Sequence, residues 1–127
     1  MDVFASVLLK QMEDMLFRLL TQHDIDDSTL TADNVQEWVQ NFFSRLRPGI
    51  DAWVSALDTN SMFNLIHIYI DDYKNLTTTN TKQILFYMLL IHRMILFLDN
   101  IGIHVAIPWK DLVCEGFVLK NAQKILQ

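Results

Sequence analysis

Glycine and proline are scarce in this chain, three and two among 127 residues. Turn-dense all-β folds and low-complexity segments draw heavily on both, so a sequence this poor in them excludes those classes. Cysteine occurs once, at Cys114, which rules out an intramolecular disulfide and fits a reducing compartment. Positive charge is also short: ten Lys plus Arg against fifteen Asp plus Glu leave a net charge of -5. With no basic patch to neutralise a phosphate backbone, nucleic-acid binding is not expected. A Gly-rich phosphate loop and a Gly-x-Ser-x-Gly elbow are both missing. His23, His67, His92 and His104 are scattered, with no pair on one helical turn and no second cysteine beside them. The sequence therefore predicts no enzyme, no metal centre and no cofactor.

Apolar residues are plentiful at 51%, while charged residues are 20%. That balance suits a single domain over residues 1–127 with a real core. It also leaves some apolar surface uncovered, which points to a partner protein or a homodimer. The centre of the pattern is Asn80–Asn100, where Ile84 to Ile91 is an unbroken run of eight apolar residues and Met94 to Leu98 resumes it after His92 and Arg93. No single stripe can be drawn on it, and a helix apolar on every face is normally buried on every face. The run is shorter and more interrupted than a span of roughly 20 apolar residues, and His92 and Arg93 would be costly in lipid, so no transmembrane anchor is expected. The acidic start and polar end suggest neither a secretory signal nor a tail anchor.

Helical spacing organises the rest. A first helix is expected over Val3–Thr21, with Lys10, Gln11, Asp14 and Arg18 off its apolar face, followed by an acidic loop from His23 to Thr31. A second is expected over Ala32–Arg47, capped by Thr31 or Asp33 and ended or kinked by Pro48-Gly49. A short third helix is expected over Ile50–Leu57. A fourth follows over Met62–Lys74, with Asp58, Asn60 or Ser61 as caps, although Leu65–Ile70 alternates enough to resemble a strand. The central helix then runs to a C-cap at Asn100 and Gly102, and a sixth opens at Pro108 and reaches Leu126. The expected fold is all-α: one compact bundle of about six helices around a buried central one.

Isolated chemistry is sparse. His23, Asp24, Asp26 and Asp27 could hold a divalent ion, but a solvated acidic loop explains them more simply. Asp71 and Asp72 are adjacent and so diverge on a helix, and Cys114 reads as a buried thiol. His92 and Arg93 either mark where the central helix reaches the surface or face a groove that meets an acidic partner.

Asn80-Thr81-Lys82-Gln83 at the opening of the central helix, Phe42, Leu46, Asp51 and Trp53 before it, and Asp99 to Trp109 with Phe117 after it resemble three local patterns of the Bcl (B-cell lymphoma) family, in particular its short viral, poxvirus-like members. Asn80-Thr81-Lys82-Gln83 opens the central helix where the family carries Asn-Trp-Gly-Arg; Asn80 matches, and Gln83 replaces the Arg. Phe42, Leu46, Asp51 and Trp53 follow the spacing of the family's third homology motif, with Pro48, Gly49 and Ile50 departing from it. Asp99 to Trp109, then Phe117, is similar to the central-helix exit of poxvirus members. The resemblance spans about residues 38 to 119. It implies Bcl-like topology and an inhibitor of host apoptosis that takes a pro-death amphipathic helix into an apolar groove, in the host cytoplasm or at the mitochondrial periphery. The groove residues implied are Phe42, Leu46, Trp53, Phe63, Ile66, Asn80, Gln83, Ile84 and Tyr87, with plain core packing as the alternative for each apolar one and capping for Asn80. Gln83 cannot supply the charge of the family's Arg, so Lys82 or Arg93 would have to. Two alternatives remain: a Bcl-fold antagonist of innate-immune signalling, and an unrelated helical scaffold that dimerises.

Overall fold

The computed structural model describes residues 30–74, 81–106 and 116–126, together with Gln11, Asp14 and Arg18. Four helices are present among them: α1 (Val35–Ser55), α2 (Thr59–Lys74), α3 (Thr81–Asn100) and α4 (Phe117–Leu126). No strand occurs among the described residues, and the alternating Leu65–Ile70 stretch is helical. Gln11, Asp14 and Arg18 are helical and exposed, at positions the sequence assigns to the polar side of its first helix. The rest of that segment, the acidic loop up to Thr29, Asn80, and the stretch from Ile107 to Glu115 with Pro108, Trp109 and Cys114 lie outside the described residues.

α3 is the axle. Seven consecutive residues, Leu85 to Ile91, are buried, and Met94, Ile95 and Leu98 continue the burial. Such a run has no solvent side, so neighbours must close around it, and α1, α2 and α4 all pack on α3. One continuous apolar cluster links the four helices. By length and composition α3 would also suffice to cross a membrane, contrary to the expectation from its sequence; much of it is instead covered by the other helices.

α1 corrects the expected break at Pro48. The helix runs unbroken through that proline for 21 residues, so the two helices expected on either side of it are one. Phe42, Phe43, Leu46, Ile50, Trp53 and Val54 stay in helical phase across the proline, and all are buried. Stopping at Pro48 would lift the second half of that face off α3. The proline removes the hydrogen bond that its N–H would give to the Ser44 carbonyl. Both Pro48 and Ser44 are exposed, so water can serve that carbonyl. Packing thus outweighs a local rule.

The ends are capped locally. The Thr31 carbonyl accepts the Val35 N–H at 3.0 Å, and Asn34 Oδ1 accepts the Thr31 N–H at 2.7 Å. α1 therefore starts from a backbone turn, with neither Thr31 nor Asp33 acting as a side-chain cap. Asp58 opens α2: its two carboxylate oxygens accept the Ser61 N–H at 2.7 Å and the Ser61 hydroxyl at 3.1 Å. These bonds hold the exposed Asp58 carboxyl below the usual carboxylate range. α3 ends at Gly102, whose φ of 87° is left-handed, with the Ile103 N–H reaching back to the Leu98 carbonyl at 2.9 Å. That is the Schellman closure expected of a glycine just past a helix.

Two stability measurements check these points by urea unfolding. Pro48→Ala raises stability, by up to about 3 kcal/mol, if the helix is continuous; a chain broken there gains little. Gly102→Ala lowers stability by about 1 kcal/mol through backbone strain alone, since a Cβ there would meet nothing within 4 Å.

Candidate functional site

The face of α1 that carries Phe42, Leu46 and Trp53 is laid against the core, with Trp38 stacked on Phe42 at 5.4 Å and 9° and the Arg45 guanidinium 5.9 Å from the Phe42 ring centre. α2 contributes Ile66 to the same cluster and α3 contributes Tyr87, which meets Tyr69 of α2 at 5.8 Å between ring centres. The residues named as groove candidates are thus brought together, but mostly as interior. Phe42, Leu46 and Ile66 are 0% exposed and Tyr87 4%. Trp53 is 8% exposed, and its indole Nε1 is buried without a hydrogen-bond partner. Ile84 is half-buried against the cluster. In this conformation those apolar side chains offer almost no surface to a ligand. Their residue type could not reveal this, because a groove floor and a core ask for the same side chains.

The remaining candidates lie at the margin. Phe63 is 43% exposed and sets its ring edge-on to His67 at 4.9 Å. Gln83 and Lys82 are half-buried in the first turn of α3 and both already engage neighbouring groups. Asn80 lies outside the described residues.

Arg93 is the informative one. Its Nε and a terminal guanidinium nitrogen donate to the two Asp51 oxygens at 2.8 and 3.0 Å, a two-pronged pair between α3 and α1. Arg93 is 25% exposed in its side chain and Asp51 42%, so the pair sits at the rim of the buried cluster, within reach of solvent. The Arg93 head crosses from α3 to α1. Sequence spacing singled out both residues and missed their partnership, since they are 42 positions apart. Fork geometry makes this contact stronger than an ordinary surface pair, though exposure and salt reduce it.

Other chemistry is thin. No cluster of three or more His, Cys, Asp or Glu suited to a metal occurs among the described residues. Asp71 is exposed and Asp72 half-buried. A polar hollow lined by Asp58, Thr59, Asn60, Ser61 and Asn64 surrounds the start of α2, where the Asp58 carboxylate is already occupied by Ser61. His104 Nδ1 meets Asp99 Oδ1 at 2.7 Å on the open surface.

A double-mutant cycle with Asp51→Ala and Arg93→Ala, read by urea unfolding, should give a coupling of about 1 kcal/mol that shrinks as salt rises. A coupling of zero would mean that the fork does not persist in solution. No family model, curated protein or solved structure matches the chain.

Proposed function

We propose that this protein is a viral inhibitor of host apoptosis, of Bcl-like topology, that sequesters a pro-death amphipathic helix in the host cytoplasm. The observation that carries the reading is the Arg93 fork on Asp51, at the rim of the apolar seam between α1 and α3. A helix that buries an apolar stripe and presents one acid needs a lipophilic slot with a guanidinium at its edge. Asp51 stands where such an acid would stand, so an incoming helix competes with α1 for Arg93. Because Phe42, Leu46, Ile66 and Tyr87 are covered, binding requires the seam to part. The affinity observed is then the intrinsic affinity scaled by the fraction of open molecules.

That same burial favours a second reading, in which the slot is permanently filled and other surfaces block an innate-immune adaptor. Among the described residues, Phe63, Ile68, Leu96, Phe97, Ile101 and Phe117 are exposed large apolar side chains available for such a contact, or for a homodimer.

Titration of fluorescent pro-death helix peptides separates the readings. Under the first, at least one peptide binds more tightly than about 0.1 mM, Asp51→Ala tightens it by releasing Arg93, and replacing the peptide's acid by its amide removes that gain. Gln83→Arg tightens the same peptide if Gln83 borders the slot. A panel with no binder to wild type or to Asp51→Ala rejects sequestration. Light scattering on the same samples reports whether the exposed apolar residues join two copies.

A further inference from the structure

α3 carries a second polar residue next to Arg93, and among the described residues the charges acting on it are positive. His92 is half-buried, and its Nδ1 is sealed from solvent without a hydrogen-bond partner. On one side its imidazole faces the Leu126 backbone carbonyl in the last turn of α4. Arg93 from α3 and Arg47 from α1 lie close enough to act on it. Arg93 itself is paired with the Asp51 carboxylate at 2.8 and 3.0 Å. Among the described residues α2 sets no charged group against the ring. Three helices therefore meet at one titratable side chain, and among the described residues the charged groups acting on it are two guanidiniums, one of them paired with Asp51.

α4 is the shortest of the four described helices. It has ten residues, too few for a helix to be stable alone in water. Leu119, Ala122 and Leu126 are its buried residues, and they pack it onto α1 and α3.

We propose that this junction of His92, Arg47, Arg93 and the last turn of α4 is an acid-sensitive latch: α4 stays docked while His92 is neutral and is released when His92 gains a proton. A protonated imidazole would place a third positive charge in the junction and bury an Nδ1–H with no acceptor. The Leu126 carbonyl favours the charged form, but burial first, then Arg93 and Arg47, oppose it and hold His92 below the usual histidine value of 6.5. The sign follows. Above that value His92 is neutral whether α4 is docked or free, and docking is unaffected. As pH falls below it, the free form takes the proton first, so docking weakens until the docked form is protonated too. The latch works whether or not a partner helix binds elsewhere.

Hydrogen-exchange mass spectrometry on the full chain tests this at about pH 7.5 and about pH 5.5, with intrinsic exchange rates corrected for. Protection across residues 117–126 should drop on acidification, by up to roughly tenfold for each pH unit by which the docked His92 midpoint lies below that of a free histidine. Protection across 85–98 should hold. His92→Gln should keep 117–126 equally protected at both pH values. Should that variant fail to fold, Arg47→Gln, at an exposed position, leaves His92 in place and should shrink the acid response by removing one opposing charge. Unchanged wild-type protection, an acid loss that survives His92→Gln or is undiminished in Arg47→Gln, or simultaneous loss across 85–98 would each overturn the latch. So would an NMR titration of the His92 ring with its midpoint at or above the ordinary value.

Discussion

Ten residues of α3 must be kept from water at once, and the rest of the molecule answers to that demand. A helix with one apolar stripe needs one wall; α3 has apolar groups all round and needs several. α1 supplies the longest wall, α2 a second and α4 a short third. The same demand explains why α1 tolerates a proline at its exposed back: losing one backbone hydrogen bond on the water side costs less than losing the burial of Ile50, Trp53 and Val54. It also explains the fork. Arg93 interrupts the greasy run, and a guanidinium beside a closed core must find a partner at its edge; Asp51 on the longest wall is that partner.

What the sequence made legible follows from how local each signal is. Burial of Leu85–Ile91 could be read directly, because the eight neighbouring apolar residues from Ile84 to Ile91 carry the same message. The Gly102 cap and the Asp58 cap were legible for the same reason: each needs only three or four adjacent positions. The continuity of α1 was not, because Pro48 is a strong local signal and the opposing one is spread over six residues and a second helix. Whether Phe42, Leu46 and Tyr87 floor a slot or fill a core was illegible in principle, since side-chain type reports preference for apolar surroundings and not who provides them. The Asp51 to Arg93 pairing is long-range, and charge pattern along one helix cannot reveal it.

The polar groups that interrupt the core are unevenly provided for. Asp51 and Arg93 satisfy each other. The Trp38 and Trp53 indole N–H groups are enclosed without acceptors, and one His92 nitrogen is enclosed without a partner. Each such group costs part of its lost hydration, and structures keep these costs low unless packing leaves no alternative. Here both tryptophans are on α1 and His92, on α3, faces α4, so these enclosed groups lie where outer helices close on the axle.

The unbroken α1 has a mechanical consequence. At 1.5 Å per residue its 21 residues make a rod about 30 Å long, and the 20 residues of α3 make another of nearly equal length. From Val35 to Val54 each turn of α1 inserts at least one buried side chain, so no stretch of the rod is a loose end from which it could peel. Had the chain hinged at Pro48, a short flap could swing while the remainder stayed seated. With the hinge spliced out, force applied at one end is carried to the other, and the two rods stay in register or separate together.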